Sequence, residues 1–293
     1  MRIAKLRAWC VLVVVAALTC GTRAAAHEFW VAPERYVLEP GEQVVATLRN
    51  GEMMRGNELP YLSPWFHAFT VTAADGTTAV AGFEGDMPAL SYTAAEPGLH
   101  VIAYHSTVDR VTYDEGERFR KYLAYEGLEG IAEAHRARGL PDSGFTEEYN
   151  RFAKALVQVG PVGERDRDAA LGLRFELVAE NNPYAAGAET VTVSLLRKGE
   201  PVAGRQIAVF RCAGDVTRTL VNTDAQGRAA ISIRGGGEFL LNAVDIRAVD
   251  IAPVEKSNGN GTIESDPVVW ASDWASLTFG IGTMASVCPQ RKQ

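Results

Sequence analysis

The sequence predicts a mainly β protein: two β-sandwich domains with a helical insertion between them. Two observations carry the β class. Short apolar runs recur between Pro-Gly, Asp-Gly and Lys-Gly turn signals, and in the second half apolar residues alternate with polar ones. A third observation places the helices. Residues 113–160 lose the alternation and show apolar positions at helical spacing.

The first 26 residues stand apart. Arg2, Lys5 and Arg7 precede an apolar run, Ala8 to Leu18, and then Ala24-Ala25-Ala26. That order is that of a secretory signal peptide, so residues 1–26 are expected to be cleaved and the mature chain to begin at His27 in the periplasm. The apolar run is too short to span a bilayer comfortably. No later stretch reaches the ~20 apolar residues that a spanning helix needs.

Residues 27–112 form the predicted N-terminal sandwich. Val44 to Leu48, Phe69 to Thr72 and His100 to Tyr104 read as strands, separated by turns at Glu39-Pro40-Gly41, Ala74-Asp75-Gly76 and Glu96-Pro97-Gly98. Residues 113–160 are the predicted helical insertion. One helix is expected from Glu117 to Ala137, with Phe119, Leu123 and Ile131 inward. A second is expected in EEYNRFAKALVQVG, where Tyr149, Phe152, Ala153 and Leu156 share a helical face and Gly160-Pro161 supplies a stop. Residues 161–282 form the C-terminal sandwich. Val191, Val193 and Leu195 alternate with Thr190, Thr192 and Ser194, and Lys198-Gly199 and Asp224 to Gly227 are its turns. Residues 283–293 form a tail; this tail and the segment Lys256 to Ser265 are expected to be mobile.

Charge and cysteine content narrow the class further. The formal charge is −7; the leader holds four bases and no acid, so the mature chain carries 25 bases, 36 acids and a charge of −11. This argues against nucleic acid or anionic lipid as a partner. Of four cysteines, Cys10 and Cys20 leave with the leader. Cys212 and Cys288 remain and are a plausible disulfide in an oxidising compartment, subject to their Cα atoms approaching within about 7 Å.

Several stretches together resemble one family. They are HEFW after the leader, ERFRKYL…EEYNRFAKALVQVG, LRFELVAENNPYAAG, KGEPVAG…NTDAQGRAAI…GGGEFLLNAV and WASLTF. The chain is identified by them as a member of the bacterial domain-of-unknown-function family 4198, whose resemblance implies a periplasmic component associated with nickel/cobalt uptake. The second half also resembles the transthyretin-like or carboxypeptidase-regulatory-like sandwich, through Gly199 to Gly204, Thr223 to Gly227 and Gly237 to Phe239. That signature describes scaffold and says nothing of chemistry.

His27 is the sharpest chemical feature. As the first mature residue it would present an α-amine and an imidazole together, nitrogen donors that suit Ni²⁺, Co²⁺ or Cu²⁺. Glu28 offers an oxygen beside it, and His67 and His105 are candidate further ligands. His100 and His105 are five apart in a strand and point to opposite faces, so they are not expected to share an ion. His135, beside Arg136 and Arg138, reads as a solvated helix residue. No Gly-x-Ser-x-Gly, phosphate loop, dinucleotide fingerprint or His-Glu-x-x-His occurs, so an enzyme is not the expectation. Three functions follow: a periplasmic metal-binding accessory working with a metal permease of the inner membrane, a structural or adhesion-like two-sandwich protein without metal, and a copper-dependent oxidative enzyme.

Overall fold

The computed structural model describes residues 27–250 and 267–282. The predicted leader, the segment Lys256 to Ser265 and the 283–293 tail, with Cys288, lie outside the described residues. The first half supplies β1 (Glu28–Pro33), β2 (Val37–Leu38), β3 (Gln43–Glu52), β4 (Arg55–Leu59), β5 (Phe66–Ala73), β6 (Gly76–Ala79), β7 (Leu90–Thr93), β8 (Gly98–Ser106) and β9 (Asp109–Tyr113). Two helices follow, α1 (Gly116–Tyr125) and α2 (Ile131–Ala137), and then β10 (Phe145–Val159). The second half supplies β11 (Phe175–Ala179), β12 (Thr190–Arg197), β13 (Glu200–Pro201), β14 (Gln206–Ala213), β15 (Asp215–Asn222), β16 (Arg228–Ser232), β17 (Gly237–Ala248) and β18 (Val268–Ile281).

The class is mainly β, as the sequence predicts, and the sheets are open. A ten-stranded sheet runs through the described chain in the order β15-β14-β17-β18-β10-β8-β5-β6, with β2 and β9 also paired to β10. Its midpoint is the parallel pairing of β10 with β18. A small sheet of β11, β12, β13 and β16 covers one face. There Phe152, Leu156, Leu241 and Leu277 of the long sheet meet Leu177, Val193, Leu195 and Ile231. A second small sheet of β1, β3, β4 and β7 covers part of the other face. It packs Phe29, Val31, Val44 and Leu48 against Val71, Ile102 and Val157. The helices lie beside it, with Phe119 and Leu123 against Val244, Trp270 and Trp274. Both sandwiches therefore share one sheet.

The predicted second helix is strand β10. Its apolar residues fit both periods. Ala153, Ala155, Val157 and Val159 face the β1 side, while Phe152 and Leu156 face the other. A strand covered on both faces reads as a near-continuous apolar run, and such a run also satisfies helical spacing. Pairing with β8 on one side and β18 on the other decides the outcome. The predicted Glu117–Ala137 helix is instead two short ones. Gly127 and Gly130, at φ 65 and 80, break it between them. Phe119 and Leu123 are buried as expected, but His135 is 5 % exposed rather than solvated. The Trp270 indole donates to its Nδ1 at 3.0 Å and its Nε2 contacts the Pro141 carbonyl at 2.8 Å, so this ring is a core crosslink. Cys212 is buried in the cluster of Trp30, Met54 and Phe210.

Candidate functional site

The four residues singled out in the sequence fall into two pairs. His27 precedes and Glu28 opens β1, which lies over one face of the long sheet. His105 packs on Phe152 at 4.7 Å between ring centroids, on the opposite face, with His67 at 5.1 Å from it. The sheet stands between the pairs, so they do not share one ion. His100 is on the other side of β8 from His105, as expected, and is fixed by Tyr92 and the Glu96 carbonyl.

Glu28 is the more unusual of the four. Its residue is 0 % exposed, between Phe29 and the edge held by β3. The Tyr125 hydroxyl donates to Oε1 at 3.3 Å, while Oε2 is buried without a hydrogen-bond partner. Glu126, 2 % exposed, lies close enough to feel the Glu28 charge. Asn242 donates to its Oε2 at 3.3 Å, and its Oε1 also has no partner. Burial raises the Glu28 carboxyl to about 7. Burial, helped by the Glu28 charge, raises Glu126 to about 8. Both therefore hold protons near neutral pH, because a bare carboxylate is costly away from water. Arg218 moderates this. Its guanidinium stacks on the Tyr125 ring at 3.9 Å and donates to the Tyr125 carbonyl at 2.6 Å. At the rim, half-buried His27 places Nδ1 at 3.3 Å from Glu52.

The end of α1 delivers Tyr125 and Glu126. Gly127 follows in the left-handed conformation, and a Cβ there would stand 2.6 Å from the Gln206 side-chain oxygen. Glycine at this position lets the helix end press against β14, whose neighbour strands carry Arg218 and Asn242. Sequence reading missed Tyr125, Glu126, Arg218 and Asn242, since they come from three elements far apart in the chain: the end of α1, β15 and β17. The one available signal was Glu28 itself, an acid leading into the apolar Phe29-Trp30-Val31.

Two other buried acidic groups are already satisfied. Glu147 accepts from Tyr113 at 3.0 Å, from Tyr122 at 3.2 Å and from Ser272. Burial still raises it to about 7. Lys154 sits fully buried between Asp168 at 2.7 Å and Glu176 at 3.1 Å, a closed ion triplet. The His67–His105 pair is differently placed. Burial, then His67 and Arg174, hold the His105 imidazole below its usual range. Neutral imidazoles are ligands, but the Arg174 charge opposes a cation there. Among the described residues, no three His, Cys, Asp or Glu side chains already stand in a metal-ligating arrangement. Surface clefts of about 760 and 700 Å³ are lined by none of these groups.

A family model matches residues 24–246, most of the chain. The chain belongs to the family described as "Domain of unknown function (DUF4198)". The match spans the whole Glu28 pocket, from β1 through Glu126 and Arg218 to Asn242. No curated protein matches the chain. Among solved structures it is similar to a mutant of Salmonella alpha-2-macroglobulin, at 14 % identity and TM-score 0.23, over 85 % of this chain and 15 % of that one. The same Salmonella protein reacted with methylamine gives 13 % identity and TM-score 0.21, over 87 % and 15 %. The chain thus spans about 15 % of the length of those proteins.

Proposed function

We propose that this protein is a periplasmic metal-binding accessory, not an enzyme, that takes one divalent transition ion (Ni²⁺, Co²⁺ or Cu²⁺) at His27 and Glu28, with Glu126 as a second carboxylate. The supporting observation is the pair of buried carboxyl groups, each with one unpartnered oxygen; His27, next to Glu28 in the chain, pairs with Glu52, whose charge also reaches Glu28. Buried polar atoms without partners are rare in folded proteins and call for a reason. A cation supplies one. It would replace the protons on Glu28 and Glu126, turning two carboxyls that are costly to ionise into two ligands. Asn242 and Tyr125 hold the outer oxygens and orient both groups. Arg218 limits the net negative charge, which makes the affinity moderate and the ion releasable to a permease component.

Titration calorimetry of the secreted protein with each ion at pH 6, 7 and 8 tests this. Binding is expected to strengthen as pH rises through 7 to 8, because both carboxyls must lose protons. Glu126→Gln and His27→Ala should each weaken it by about tenfold or more. A form extended by a few residues before His27 keeps the imidazole and displaces any α-amine at that residue. Affinity unchanged in Glu126→Gln would remove the site. Binding no tighter than about millimolar, worth only ~4 kcal/mol, would favour the structural reading.

A further inference from the structure

The long sheet carries a second polar site on its other face, where the small β11–β12 sheet runs out. Asp245 of β17 and Asp273 of β18 are register partners and point to that face. Asp273 is 0 % exposed and accepts from Arg174 at 2.6 Å and Arg247 at 3.0 Å, with Arg197 at 3.4 Å. Asp245 pairs with Arg197 and, at 2.6 Å, with Arg205. Four guanidinium groups thus surround two carboxylates, leaving a surplus of two positive charges in a chain whose formal charge is −7. The row continues across the sheet. Arg174 also donates to Asn150 at 2.6 Å and lies over the Phe152 ring, on which His105 packs. His67 stands beyond it.

The arginines are not consumed by their aspartates. A guanidinium has five N–H donors in a rigid fork. Arg247 gives one to Asp273 and its side chain stays 43 % exposed; Arg174 stays 34 % exposed. Arg205 donates to Asp245 through Nη2, while its Nε is buried without a partner. The aspartates fix the forks from behind, so the ordering cost is met before any ligand arrives. The part-exposed Arg174 and Arg247 leave donors that an incoming anion can reach, over a low-dielectric floor that strengthens their attraction for negative charge.

We propose that this arginine-lined end of the sheet binds a small, multiply charged oxyanion, a di- or tricarboxylate or a phosphate group. Its surplus of two charges matches a dianion, and planar forks match carboxylate and phosphate oxygens. The site rests on none of the residues of the proposed metal pocket and stands or falls independently of it.

Calorimetry with citrate, inorganic phosphate and acetate, at fixed ionic strength, tests the proposal. Saturable one-site binding of citrate or phosphate, with acetate much weaker, is expected. Citrate alone would identify a polycarboxylate site, and phosphate alone a phosphate site. Arg247→Gln should weaken binding by about tenfold, the loss of one charge-assisted hydrogen bond. Arg205→Gln provides a second, independent variant. Arg35→Gln removes the same charge from an exposed pair with Glu42 and should leave affinity unchanged. Absence of saturable binding tighter than about 10 mM would overturn the site. So would equal losses in Arg35→Gln and Arg247→Gln, which would show a nonspecific charge effect.

Discussion

Glu28 and Glu126 carry a penalty that grows with pH. In the unfolded chain both carboxyls ionise near 4.5, whereas in the fold they keep their protons up to about 7 and about 8. A group with a raised folded pKa contributes most below its unfolded pKa, and that contribution is lost as pH rises through the folded value. Stability should therefore fall between about pH 4.5 and 8, Glu147 adding to the trend with its value near 7. Glu126→Gln removes one such group while keeping an acceptor for Asn242. It should be more stable than the parent at pH 8, by on the order of a few kcal/mol, and nearly equal to it at pH 5. Urea denaturation at the two pH values checks this; an equal effect at both would mean that Glu126 is ionised throughout. The same residues mark the limit of reading at this scale. His27 and Glu28 could be singled out because they are adjacent in the chain. Glu126, Arg218 and Asn242 could not, because only folding brings residues 28, 126, 218 and 242 together.

Among the elements, β10 is the one the pattern misassigned, and its burial explains why. Half-exposed strands such as β12 announce themselves, since Val191, Val193 and Leu195 are buried and the residues between them are not. β10 has no such contrast: twelve of its fifteen residues are buried and none is exposed, because both faces are covered, and even Lys154 is inside. That lysine is held by Asp168 and Glu176, which arrive from the loop before β11 and from β11 itself. Lys154→Met would strand two buried carboxylates. It should destabilise the protein by about 3–5 kcal/mol, visible as a lower urea midpoint at unchanged slope. A loss below about 1 kcal/mol would show that the acids simply protonate. Of the two expected helices, the first was legible in place but is split in two. Gly127 and Gly130 were visible, and their left-handed backbone is what separates α1 from α2.

For the molecule as a whole, two sandwiches were legible from the turn signals, but their union was not. Nothing in a local pattern reveals that β10 and β18 pair in parallel and merge the halves into one sheet. A shared sheet leaves no boundary at which one half could melt alone. Calorimetry of the protein should give a single transition, with calorimetric and van't Hoff enthalpies equal. Two resolved transitions would show that the halves are energetically separate. The way β1 is held adds a consequence in time. The hydroxyls of Ser276 and Thr278 donate to the carbonyls of Phe29 and Val31 at 2.7 and 2.6 Å, across 247 residues of chain. Contacts of such separation close late, because the loop entropy must be met before they form. β1 can pair early with nearby β3, but its tie to the second half closes only once β18 is in place, so ion-binding competence would serve as a sign that the two halves have joined.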